Sequence, residues 1–225
     1  MGNLPSGALA GVWFDTLDGE LAAMLASLGT LAFEEPHAIS VTGATWTLSG
    51  RIEGITGDGR LQVRAAKCNP KDRIRAWITH LALTAAHGPV TTRLIGKDGG
   101  WTFDEVADPL SVLDALVEGY RAALQEPLPF FTQASYCFAD CTYAYEQDAA
   151  GVKATRRRKS PMDSAQDAYE GSEFGDWATG DRADAYVALC WRGREPLVQM
   201  AEPFQRWSMA FWGPALASMK REGDG

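Results

Sequence analysis

The sequence predicts an α/β chain in two parts, an α/β core over residues 1–131 and a mostly helical lobe over residues 132–225. Three observations lead there. As far as Phe131, stretches with helical spacing alternate with short β-rich runs. Gly, Asp and Pro clusters punctuate those runs as turns. Beyond Pro127-Leu128-Pro129-Phe130-Phe131 the strand signal stops, and helical spacing dominates to Met219.

The elements follow in order. Ala8 to Leu28 places Leu9, Val12, Trp13, Leu17, Leu21, Met24, Leu25 and Leu28 at helical intervals, so a helix with one wide apolar stripe facing the core is expected. Ile39-Ser40-Val41 and Thr45-Trp46-Thr47-Leu48 read as one strand or two, and Arg51 to Ile55 as another. Thr56-Gly57-Asp58-Gly59 is a turn from which Arg60 to Ala66 returns. Asn69 is suited to cap a helix with Pro70 at its first position, and Arg73 to Ala86 puts Ile74, Trp77, Ile78, Leu81 and Ala85 on one face. Gly88-Pro89 ends that helix. Val90 to Ile95 and Trp101 to Phe103 form a hairpin around Gly96 to Gly100. A helix from Pro109 to Leu124 is expected to turn Leu110, Leu113, Leu116, Val117 and Tyr120 inward. In the lobe, residues 151–180 read as a polar, irregular insertion, and the final helix includes Phe204, Trp207, Phe211, Leu216 and Met219.

Composition narrows the function classes. The chain has 225 residues and a net charge of −8, so any nucleic-acid contact must come from a local basic patch or from partners. No apolar run reaches the roughly 20 residues of a membrane span. Met1-Gly2-Asn3-Leu4-Pro5 has no charged leader before an apolar core, so a cytoplasmic location is expected. Cys68, Cys137, Cys141 and Cys190 lack the paired spacing of a metal site and are expected as reduced, mostly packed thiols. No metal and no cofactor are expected.

Several catalytic motifs are missing. Gly96-Lys97 lacks the frame of a P-loop, no G-x-S-x-G elbow occurs, and His37, His80 and His87 form no H-E-x-x-H pair. His80, beside Trp77 and Leu81, reads as a packed histidine. One arrangement does suggest chemistry: helix, strand, turn, strand, helix around residues 48–86. Metal-dependent nucleases of the PD-(D/E)XK class use it, with an acid on one strand and Asp or Glu, one spacer, then Lys on the next. The carboxylates hold Mg²⁺, which activates water and polarises the phosphate. Here Glu53 occupies the first strand, but the second ends Val63-Arg64-Ala65-Ala66-Lys67, with Ala65 where the acid belongs. One carboxylate facing an arginine does not hold a hard dication, and Glu53 is expected to form an ion pair with a basic neighbour. The expected fold is therefore a restriction-endonuclease-like core with a degenerate active site and no catalytic residue.

The same residues resemble the C-terminal domain of RecC, the gamma subunit of exodeoxyribonuclease V. Leu4-Pro5-Ser6-Gly7-Ala8-Leu9 is similar to the family's LP-x-GAL opening. Leu48-Ser49-Gly50-Arg51-Ile52 and the strand before Lys67 follow. Lys71 to Leu83, with Trp77, His80 and Leu81, resembles its L-x-x-W-hydrophobic-x-HL helix. Thr92-Arg93-Leu94-Ile95-Gly96 and Pro127 to Phe131 continue in order. The resemblance implies a nuclease-like fold without metal ligands, in a subunit of an ATP-dependent exodeoxyribonuclease and helicase complex. It also implies assembly with RecB-like and RecD-like subunits on DNA ends and separated strands, during double-strand-break repair. Two inactive helicase-like regions precede this domain in the family, and guide-strand reading by those regions is not assigned to this chain.

Candidate contacts lie in the lobe. Arg156, Arg157, Arg158 and Lys159 are the candidates for DNA phosphate, and the alternative for them is a solvated loop balanced by Asp148, Asp163 and Asp167. Trp177, among Gly and Asp, is the candidate to stack on DNA or a partner. Trp13, Trp46 and Trp77 are expected in the core. Trp207, Phe211 and Trp212 are too many aromatics for one buried stripe and are the candidates for partner binding. Two other readings stay open: an active nuclease using displaced ligands (Glu34, Glu35 or Glu53 with Lys67), and a protein-interaction module without DNA contact.

Overall fold

The computed structural model describes residues 8–28, 32–150, 159–171 and 179–222. Helix α1 (Ala8–Leu28) precedes a two-stranded antiparallel sheet of β1 (His37–Thr42) and β2 (Thr47–Ile52). Strands β3 (Ile55–Thr56) and β4 (Gly59–Val63), helix α2 (Pro70–His87), strands β5 (Thr92–Gly96) and β6 (Gly99–Phe103) and helix α3 (Pro109–Ala123) follow. The second part holds α4 (Thr132–Ala149), α5 (Pro161–Glu170), a short 3₁₀ turn (Asp181–Ala183), α6 (Ala185–Cys190), α7 (Pro196–Gln199), α8 (Ala201–Ser218) and β7 (Met219–Arg221). The larger sheet runs β3-β4-β5-β6-β7, with β4 and β5 parallel and every other pair antiparallel. This is an α/β chain with a mixed sheet.

Local chemistry explains α2, the helix that positions the site. Asn69 accepts from the Asp72 N–H at 3.1 Å while Asp72 accepts from the Asn69 N–H at 3.0 Å, a reciprocal capping box, and Pro70 fills the first position. Gly88 stops the helix at φ +91°, its N–H donating to the Thr84 carbonyl at 2.9 Å. The helix covers one face of the sheet, where Trp77, Leu81, Leu94, Trp101 and Phe103 form a core with Leu113. A smaller cluster of Ile39, Ile52, Ile55, Ala82 and Leu83 fixes the β1–β2 sheet to the other side of α2.

Packing crosses the expected division at residue 131. Trp212, Ala215 and Leu216 of α8 and Ala139 of α4 belong to the same core as Trp77, and β7 adds an edge strand to β6. Met219, expected at the end of the last helix, instead opens that strand. A second cluster joins Phe131, Phe138, Ala165, Tyr169, Trp191 and Phe204. Asp181 fastens it by accepting from the N–H groups of Gln133 and Ala134 at 2.9 and 2.8 Å, which caps α4 from 48 residues away in sequence.

Three expectations are corrected. Val12, Trp13, Leu17 and Leu21 are exposed, with Trp13 at 57 %, so these four residues of the α1 stripe do not face the core. On α3, Leu113 is buried, but Leu110 and Tyr120 point to solvent at 41 % and 64 %. Residues 161–170, expected to be irregular, form α5, capped by Ser160 with Pro161 first. Trp77 is fully buried, as expected, and Trp46 is partly buried with its indole N–H donating to Asp114 at 2.5 Å. No helix among the described residues is long and apolar enough to cross a membrane.

Candidate functional site

The corner between β4 and α2 carries Arg64, Ala65, Ala66 and Lys67, where the sequence pattern would put a metal ligand. The Arg64 N–H donates to the Ile95 carbonyl at 2.8 Å, extending the β4–β5 ladder by one bond. The Lys97 N–H donates to the Ala66 carbonyl at 3.0 Å, which lays the β5–β6 turn against the segment leading to α2. Asp98 accepts from the Cys68 N–H at 2.8 Å. Asp72, already used in the cap, also pairs with the Arg64 guanidinium. Arg73 donates to the Cys68 carbonyl at 3.1 Å and lies over the rings of Trp101 and Tyr136 at 4.5 and 4.9 Å. Asp72 and Asp98 are thus engaged, one by a cation and a helix end, the other by a backbone amide.

The thiol and the phenol at this corner are held neutral. Burial, reinforced by Asp98 and Asp72, pushes the Cys68 thiol up to about 11. Burial and Asp140 push the Tyr136 hydroxyl up to about 12. Neither supplies an anion near neutral pH to attack a substrate or bind a cation. Glu53 is exposed, and the expected ion pair is corrected: Arg64 takes Asp72, and Arg60 instead donates to the Glu53 backbone carbonyl at 3.1 Å. Asp72 prevails because the cap already holds it next to the end of β4. Among the described residues, no three His, Cys, Asp or Glu side chains are placed to hold a metal ion.

His80 is inaccessible to substrate. It is fully buried, with one ring nitrogen 3.1 Å from the Thr92 hydroxyl and the other 3.0 Å from the Asp104 carbonyl. It is a packed histidine, as its neighbours Trp77 and Leu81 suggested.

Of the contact residues expected from sequence, Arg156, Arg157, Arg158 and Trp177 lie outside the described residues. Lys159 pairs with Asp167, one of the acids named for the solvated-loop reading. In α8 the three aromatics separate. Trp212 is fully buried against Tyr136, edge to face at 4.9 Å, and is a core residue rather than a partner contact. Phe211 is 8 % exposed, packed edge-on to Phe130 at 4.9 Å, so it too turns inward. Trp207 remains half-buried, with the Arg206 guanidinium over its ring at 5.1 Å. Phe211 forms part of the wall of an apolar groove of about 530 Å³ between α2, α3 and α6, lined by Ile78, Leu116, Tyr120, Tyr186 and Trp191 among others. Sequence reading missed this groove because its walls come from helices far apart in the chain. It also passed over the basic density at the corner, legible as Arg64, Lys67, Lys71, Arg73 and Arg75 within 12 residues.

A family model for the RecC C-terminal domain matches residues 1–143, more than half of the chain and all of the corner. The chain belongs to the RecC C-terminal domain family. It is similar to the RecBCD enzyme subunit RecC of Escherichia coli K12, 25% identical over 201 residues, covering 87% of this chain and 17% of that protein. It is also similar to the RecBCD enzyme subunit RecC of Buchnera aphidicola, 25% identical over 145 residues, covering 63% of this chain and 13% of that one. The chain therefore spans under a fifth of the length of these RecC relatives. The motifs that resemble RecC, from Leu4 to Phe131, all lie inside the matched region.

Proposed function

We propose that the chain acts as a non-catalytic RecC-type C-terminal domain, a scaffold that handles DNA ends in double-strand-break repair and homologous recombination. One observation carries this reading. At the corner where a two-carboxylate metal site would sit, the chain has Arg64, Ala65, Ala66 and Lys67, and Arg64 is paired with Asp72. A dication and a guanidinium compete for the same carboxylates, and the guanidinium is built in. The order of helix, antiparallel strands, helix α2, then β5 parallel to β4 supports a restriction-endonuclease-like core with a degenerate site.

On this reading residues 1–131 form the core and 132–225 the lobe. The partners are RecB-like and RecD-like subunits, with double-stranded DNA ends and separated single strands as the nucleic acid, in the cytoplasm. Arg156, Arg157, Arg158, Lys159 and Trp177 are candidate DNA contacts. Trp207 and the apolar groove beside Phe211 are the surface offered to a partner subunit, with Trp212 supporting it from inside.

The test is to incubate the purified chain with a forked DNA end and Mg²⁺, and to run the products on a denaturing gel. Intact DNA is expected. Metal-dependent cleavage that disappears in Glu53→Ala would make the chain an active nuclease with displaced ligands and overturn the proposal.

A further inference from the structure

An acidic chain must concentrate positive charge somewhere to hold DNA, because phosphate neutralisation supplies most non-specific affinity. Residues 64–75 carry five basic side chains against one acid, Asp72, in a chain of net charge −8. The fold adds two more. Lys97 arrives on the β5–β6 turn, bonded through its backbone to Ala66, and Arg221 of β7 donates to the Asp98 carbonyl at 3.0 Å. Lys67, Lys71, Arg75, Lys97 and Arg221 are all exposed, and Lys71 and Arg75 are four apart on one face of α2. Three of the acids at hand are committed: Asp72 to Arg64 and the cap, Asp98 to the Cys68 amide, and Glu222 to Arg93 at 2.8 Å.

We infer that this corner is a phosphate-binding site for the backbone of a DNA end, using fixed cations where a metal nuclease uses a carboxylate-held dication. The inference rests on the DNA-handling reading above and names the site that reading needs. Lysine and arginine side chains neutralise a phosphate as a metal does, but they neither activate a bound water nor carry a Lewis-acid centre. The DNA backbone is therefore gripped at this corner without being cut. The positive end of the α2 dipole lies beside the same patch and favours the same sign of ligand.

The experiment is fluorescence anisotropy of the full chain with a labelled forked DNA end, across a salt titration. Three proteins are compared: wild type, Lys71→Gln with Arg75→Gln, and Arg156→Gln with Arg157→Gln and Arg158→Gln. The corner variant is expected to bind about tenfold or more weakly at ~0.1 M salt, and its salt slope should fall by about two, one for each phosphate it no longer neutralises. Swapping the two cations, Lys71→Arg with Arg75→Lys, should keep binding, because charge is what the site needs. The lobe variant, which removes the other candidate contacts, should bind more weakly but keep a salt slope from the corner, and complete loss of binding there would place the grip in the lobe and overturn the inference. If wild type binds and Lys71→Gln with Arg75→Gln binds equally with the same slope, the corner is not the site and the DNA-handling reading survives. If wild type shows no salt-sensitive binding, both fall.

Discussion

His80 stands on α2 with its ring beside those of Trp77 and Phe103, and each ring nitrogen has a partner inside the protein. A carbonyl only accepts, so the nitrogen facing Asp104 carries the proton, and the other accepts from the Thr92 hydroxyl. The neutral ring is thus fully satisfied without solvent. Burial, with Arg60 adding to it, holds the group below its ordinary value of 6.5. The sign of the linkage follows. As pH falls below about 6.5 the unfolded chain takes up a proton that the folded chain refuses, so stability is complete above that pH and declines below it. Urea midpoints measured from pH 8 to 5 should drop below pH 6.5, and His80→Gln should flatten that part of the curve while costing about 1–3 kcal/mol at neutral pH. An identical pH curve in His80→Gln would assign the decline to other groups. This residue was legible in sequence because its neighbours Trp77 and Leu81 share its face. The corner was half legible: Arg64, Ala65 and Lys67 stand together in the sequence, but Asp98 and Lys97 reach them from about 30 residues further on.

Elements differ in how far their signals reach. The ends of α2 are written locally, in Asn69-Pro70, Asp72 and Gly88, so the sequence reading and the structure agree there. Spacing in α1 establishes an apolar stripe but says nothing of what covers it, and in this chain Val12, Trp13, Phe14, Leu17 and Leu21 are exposed. Helix α5 was hidden by polar composition although Ser160-Pro161 begins it. Its buried face is small, chiefly Ala165, Ala168 and Tyr169, and makes a weak periodic signal. Strand β7 spans three residues, and only its distant partner strand makes it one. The contrast between α1 and α3 can be measured. Val12→Ser with Leu17→Ser should change the unfolding free energy by no more than about 0.5 kcal/mol, the range of exposed substitutions. Leu113→Ala, at 3 % exposure, should cost about 2–5 kcal/mol. A loss above about 2 kcal/mol in the α1 variant would mean that this helix packs on the chain after all.

At the scale of the whole molecule, two hydrophobic clusters are tied together by α4 and α8. Ala139, Trp212, Ala215 and Leu216 complete the core under the sheet, while Phe138 and Phe204, on the same two helices, belong to the second cluster. The lobe is therefore structurally part of what stabilises residues 32–131. Cutting the chain after Phe131 would strip those side chains from around Trp77 and Phe103 and leave β6 as an unpaired edge, a surface that invites association. Residues 1–131 alone are expected to aggregate or to unfold without a cooperative transition. The full chain should instead lose far-ultraviolet dichroism and tryptophan fluorescence in one coincident urea transition. A soluble 1–131 fragment with its own cooperative transition would show that α8 and β7 add to a core already complete without them. The partner surface proposed at Trp207 would then belong to a separable module, free to be exchanged without disturbing the corner at Arg64.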